Sequence, residues 1–206
     1  LLVFMSLALC AISFSKDKIV DSKWTVKPLK IDGLNNDWDI NALNLQEKIG
    51  VDYAFMNDTE NLYILLIFKD PKFLSSINLT GMTIWLNSEA NKKKDYGLRF
   101  INKKISADQY ISMLEEKMGA VSEAQKNQIR ANPSYMYFDY ELINKISKNT
   151  PAKFSEAQDP KIPAFRNSMP QKTAVYEFLI PLKRLAELSA EIGADPGKSI
   201  QVCFEW

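Results

Sequence analysis

The chain contains no histidine. Neither a Ser-His-Asp nor a Cys-His nucleophile can be assembled from it, and no imidazole metal site either. Cysteine is nearly as scarce: Cys10 and Cys203 stand at opposite ends, which leaves one thiol and no disulfide framework in a mature chain. No charge of one sign dominates. The 26 Lys and Arg residues balance 25 Asp and Glu and are mixed along the chain, so there is no electrostatic footprint for nucleic acid or an anionic membrane. The longest uncharged apolar run, Leu1 to Phe14, would reach only about 21 Å as a helix, short of the roughly 30 Å needed to span a bilayer. Internal repeats and low-complexity tracts are missing too.

That opening run carries no charge up to Ser15 and is followed at once by Lys16, Asp17 and Lys18, the shape of a secretory h-region. Ala11, Ser13 and Ser15 supply small residues for cleavage near residues 13 to 15. The reading is therefore a signal over residues 1–15, a single domain over residues 16–206, and a secreted or periplasmic location. Leu7, Ala8 and Leu9 ahead of Cys10 resemble a lipoprotein signal at two positions, which makes a lipid anchor through Cys10 the alternative. An opening on Leu1 without a basic stretch and an end in mid-strand lead us to expect a piece of a longer protein. The remaining length suits one domain with a substantial core.

Period two dominates the first half. Val51, Tyr53 and Phe55 alternate with Asp52, Ala54 and Met56, which predicts a strand with one wet or ligand-facing side. Leu62 to Phe68 is apolar on both faces, as in a central strand covered on both sides. The turn formers Asn57 to Asn61 between them predict a hairpin. Thr80 to Asn87 places Met82, Ile84 and Leu86 on one side and Thr83, Trp85 and Asn87 on the other. Asp95 to Ile101 reads as the next strand, reached through a polar turn at Ser88 to Lys94.

Helical spacing follows. Ser106 with Gln109 and Ser122 with Gln125 form capping-box pairs, and Ile111, Leu114, Met118 and Val121 make an apolar stripe. The aromatic stretch from Tyr135 to Met169 has no clear period and reads as an ordered excursion. Strand spacing resumes at Thr173 to Ile180, Pro181 opens a helix whose buried side is Leu182, Leu185, Leu188 and Ile192, and Ser199 to Glu205 closes the chain as a strand.

Four pieces resemble carbohydrate-binding module family 9 and the related DOMON-like sandwiches: Ile31-Asp32-Gly33 with Asp37-Trp38; Asn61-Leu62-Tyr63 leading a strand that ends Lys69-Asp70; Met82 to Asn87; and Val175 to Leu182 with its Ile-Pro ending. The resemblance covers residues 24–103 and 172–206. It implies a mainly β, jelly-roll-like antiparallel sandwich with a short helix before the last strand, and a non-catalytic role in binding a glycan or cell-surface polysaccharide. Residues 104–171 match no part of the family pattern and read as a helical insertion between two strands, a departure from that pattern that would either cover the ligand groove or form it. An interaction domain without a small ligand is the second reading. A haem-binding DOMON-like electron carrier is the third.

Trp85, Asn87 and Glu177 are the candidate ligand-binding residues. Trp85 points away from the face carrying Ile84 and Leu86, and a ring flanked by hydrogen-bonding groups suits a sugar face; the alternative is a ring packed under the helices with Ile111, Leu114 and Met118 as its lid. The resemblance places Trp38 in the core. Asp32, Asp37 and Asp39, with Asn35 and Asn36 between, offer hard oxygen ligands for calcium or, alternatively, make an Asx-rich turn without a metal. Haem would need Met56, Met82, Met136 or Met169 paired with lysine or with one another. Asp52, Asp70 and Glu177 are carboxylates that no spacing pairs for glycoside hydrolysis, so no enzyme is expected.

Overall fold

A computed structural model describes residues 19–88, 96–144, 163–170, 173–182 and 199–206. The strands are β1 (Lys23–Trp24), β2 (Asn44–Gln46), β3 (Val51–Asn57), β4 (Asn61–Phe68), β5 (Met82–Ser88), β6 (Tyr96–Ser106), β7 (Ser134–Asn144), β8 (Ala164–Ser168), β9 (Ala174–Pro181) and β10 (Ile200–Glu205). The helices are α1 (Leu74–Thr80), α2 (Ala107–Met118) and α3 (Glu123–Arg130). One sheet runs β1-β3-β4-β9-β8 with β2 beside β3, and the other runs β10-β5-β6-β7. All pairs are antiparallel except β1 with β3. The protein is mainly β and folds as a two-sheet sandwich.

Alternation explains the core. Leu62, Ile64, Leu66 and Phe68 of β4 and Tyr176, Phe178 and Ile180 of β9 meet Met82, Ile84 and Leu86 of β5 and Leu98 and Phe100 of β6. Rings interlock across the gap: Phe100 and Phe178 lie 5.1 Å apart at 65°, an edge-on arrangement that suits the ring quadrupoles. Every residue of β4 is buried, because its other face is covered as well. There Tyr63, Leu65 and Ile67 join Val175 of β9 and Trp38 in a second apolar cluster beneath the segment that precedes β2, with Leu29, Ile31 and Leu43 around it. The wet side expected for β3 is consequently covered in large part. Ala54 and Met56 pack into the second cluster, and Asp52 binds the Lys69 ammonium at 2.7 Å.

The β3–β4 hairpin closes through the Asp58 carboxylate, which accepts from the Glu60 and Asn61 N–H groups and from the Tyr63 hydroxyl, each at 2.7 Å. Both capping boxes are present with reciprocal bonds, at Ser106 with Gln109 and at Ser122 with Gln125.

Residues 104–171, expected as a helical insertion, supply α2 and α3 and also strands to both sheets. Strand β6 continues to Ser106, α2 and α3 link it to β7, and β6 pairs with β7 from Tyr96–Asn144 to Ser106–Ser134. Strand β8 belongs to the other sheet and puts Phe165 into the core, stacked on Phe178 at 5.1 Å. The period was hidden because β7 carries rings on both faces, Tyr135 and Tyr137 on one and Phe138 and Tyr140 on the other. The expected signal with Cys10, most of the turn at Ser88 to Lys94, and the helix after Pro181 beyond Leu182 lie outside the described residues.

Candidate functional site

Trp85 and Asn87 stand on the outer face of the four-stranded sheet, as their alternation with Ile84 and Leu86 requires. They are not open to solvent: Trp85 is 3% exposed and Asn87 4%. The Trp85 indole N–H donates to Glu205 Oε2 at 2.9 Å. Its ring lies so close over Gly97 that a Cβ there would come within 2.8 Å of it. An indole held in this way cannot stack on a sugar. Of the lid expected for it, Ile111 is buried, but Leu114 and Met118 line a groove between α2 and α3 instead.

Glu177 does not share that surface. It belongs to β9 of the other sheet, opposite Leu65, and its side chain enters the second apolar cluster with no solvent exposure. Its Oε2 accepts from the backbone N–H groups of Asp32 (3.0 Å) and Gly33 (2.8 Å), and its Oε1 accepts from the Trp38 indole at 2.8 Å. Burial pushes the carboxyl above the ordinary glutamate range, while the three donors act in the opposite direction by favouring its charged form. Glu177 therefore joins the Asp32-Gly33 turn and Trp38 to the sheet. Trp85 with Asn87 and Glu177 occupy opposite outer faces of the sandwich, so the three do not form one site. Alternation assigned each residue a face of its own strand, but the sheet to which each strand belongs is a long-range property.

The Asp32, Asp37 and Asp39 carboxylates are each engaged by donors close in sequence. Asp32 accepts from Leu34 N–H at 2.9 Å and pairs with the Lys30 ammonium at 3.0 Å. Asp37 accepts from Lys30 N–H at 3.1 Å, and Asp39 caps the short 3-10 turn Ile40–Ala42 through Asn41 N–H. This is Asx-turn chemistry, and among the described residues no three acidic or thiol side chains converge as a metal cluster. The haem candidates are dispersed as well. Met82 is wholly inside the core, Met56 lies in the second cluster, and Met136 and Met169 are more than half exposed.

One concave feature was missed by sequence reasoning. On the outer edge of β3, β1 pairs with Met56 and Asn57 and β2 with Val51 to Tyr53, which leaves a gap in the ladder at Ala54 and Phe55. A cavity of about 60 Å³ opens there. Buried Trp38 and half-buried Ala54 and Met56 form its apolar walls, and Lys23, Asp39 and Asn44 contribute polar groups. Trp24, the second residue of β1, is 58% exposed. The only sequence signal was an indole in an isolated two-residue stretch, too short for period-two reasoning. Comparison with protein-family models, with curated proteins and with solved structures finds no match for this chain.

Proposed function

We propose that the chain is an extracytoplasmic, non-catalytic binding domain similar in kind to family 9 carbohydrate-binding modules, with a glycan as its ligand. The observation that carries this reading is Trp24, a large indole left 58% exposed on an edge strand. A flat ring offers the apolar face of a sugar a contact surface. The lack of histidine and the structural commitment of Glu177 support the non-catalytic part. The uncharged opening run supports export, and no helix among the described residues is long and apolar enough to cross a membrane.

A glycan array followed by titration calorimetry tests the reading. Trp24→Ala should weaken binding several-fold to tenfold, matching a contact worth about 0.5 to 1.5 kcal/mol, while the melting temperature stays put. An array without any bound glycan, or a Trp24→Ala variant that binds as before, overturns it. The second reading, an interaction domain without a small ligand, is favoured by the groove between α2 and α3, at whose edge Met118 is 81% exposed.

A further inference from the structure

The two sheets differ in width, and the difference lies on one flank. Ring contacts fix which strand lies over which. Phe55 of β3 is stacked on Phe204 of β10 with centroids 6.5 Å apart, Phe178 of β9 meets Phe100 of β6 at 5.1 Å, and Phe165 of β8 meets Phe138 of β7 at 5.4 Å. The β7 and β8 edges are therefore flush. On the opposite flank β1 and β2 lie outside β3, whereas among the described residues no strand lies outside β10. We propose that this open position, beside β10 and beneath β1 and β2, receives one extended segment of a partner protein, which joins the four-stranded sheet as a fifth strand. The inference stands apart from the glycan reading, which needs only an exposed indole.

Strand β10 is suited to such pairing. An edge strand presents a row of N–H and C=O groups to whatever lies beside it, and edges are ordinarily blunted by shortness, proline, lysine or other charge. Strands β1 and β2 have only two and three residues, and β7 carries Asp139 and Glu141. From Ile200 to Phe204, β10 has none of these devices, and its Ile, Val and Phe favour extended backbone. The cover is in place too. Trp24 is in register with Asn57, so by alternation its indole shares the inner face of the sheet with Tyr53 and Phe55, and the residue is 58% exposed. Packed sheets lie about 10 Å apart, which brings an inward side chain of a strand next to β10 within reach of that indole. The chemistry of the partner follows. Its alternate residues facing Trp24 and Phe55 are apolar, and those between them, beside Gln201, Cys203 and Glu205, are polar or basic, since Glu205 is the one charge on β10. A second copy does not fit by pairing β10 with β10. Its own β3 covers its β10 and would need the place held by β1 and β2.

The full chain is titrated with a heptapeptide that alternates valine or isoleucine with threonine or lysine, and with the same residues reordered so that the apolar ones are consecutive. We expect the alternating peptide to bind with a Kd of about 10 to 100 µM and the reordered one at least about tenfold more weakly. Only every second N–H of an added strand faces the ladder. Methylating the peptide's backbone nitrogens at one alternate set of positions should therefore weaken binding at least about tenfold, and at the other set leave it unchanged. Alternate amides of β10 should gain exchange protection when the peptide is added. Trp24→Ala should weaken the alternating peptide about five- to tenfold without moving the melting temperature. Failure of the alternating peptide to bind, equal effects of the two methylated sets, or protection that bypasses β10 overturns the added strand. Protection of the same amides on raising protein concentration alone would give the position to a second copy and overturn the partner segment. A glycan held by Trp24 leaves the β10 amides unprotected, so the glycan reading is decided separately.

Discussion

Glu177 has the most demanding environment of any carboxylate described. A charged group without solvent contact is tolerated only when its lone pairs are occupied, and here three N–H donors occupy them. Glu177→Gln keeps the shape but turns an amide NH2 toward either the Asp32 and Gly33 N–H groups or the Trp38 indole. It should cost about 1 to 3 kcal/mol in denaturant unfolding; a variant as stable as the parent would mean that these bonds contribute nothing. Because the folded carboxyl is raised, its contribution to stability is fully present below the ordinary glutamate value and is lost as pH rises through the folded one, the reverse of a salt-bridged carboxylate. The Gln variant should lack that dependence. Trp38, 6% exposed and bonded to Glu177, should cost about 3 to 5 kcal/mol when replaced by alanine. An unchanged melting temperature for Trp38→Ala would remove it from the second cluster. Tyr63, which donates to Asp58, is pushed up to about 12 by burial and by that carboxylate, so spectrophotometric titration should find one fewer late-ionising tyrosine in Tyr63→Phe.

Individual elements differ in how far local chemistry defines them. Helices α2 and α3 begin where Ser106 and Ser122 cap them, because a capping box is a contact between residues three apart. Ser106→Ala should therefore cost about 1 kcal/mol, read as lower helicity or an earlier thermal midpoint. The segment leading to Trp38 depends on distant partners instead. Gly33 has φ +83, its N–H donates to Glu177, and a Cβ there would stand 2.8 Å from the Asn167 carbonyl carbon of β8. Gly33→Ala combines left-handed backbone strain with that clash. We expect it to loosen residues 25–43 by about 1 to 3 kcal/mol, visible as faster limited proteolysis there with the sandwich core still protected. Uniform protection across the chain would contradict this. Strand β7 was illegible for a related reason: its faces serve the core and the outer sheet surface, and both accept aromatic rings.

At the scale of the whole molecule, export and fold are separate matters. A secreted sample should begin between Phe14 and Lys16 by intact mass. A chain that keeps Leu1 to Phe14 would count against export by this route, and a diacylglyceryl mass on Cys10 would identify a lipid-anchored form. The sandwich itself rests on pairings between strands far apart in sequence, such as β4 with β9 and β5 with β10, which period-two reasoning can announce but not arrange.

The mainly β class, the β3–β4 hairpin, the fully apolar β4, the two capped helices, the inward face of β5 and the existence of β9 were all legible, since each follows from contacts between near neighbours or from side-chain period. Tertiary structure alone decided the rest. It assigned Trp85 and Glu177 to opposite outer faces, covered both, made β7 and β8 part of the sheets, and left the gap beside Ala54 where β1 and β2 fail to meet. The physical reason is that alternation tells a side chain which side of its own strand it occupies, while burial depends on what distant segment is packed against that side.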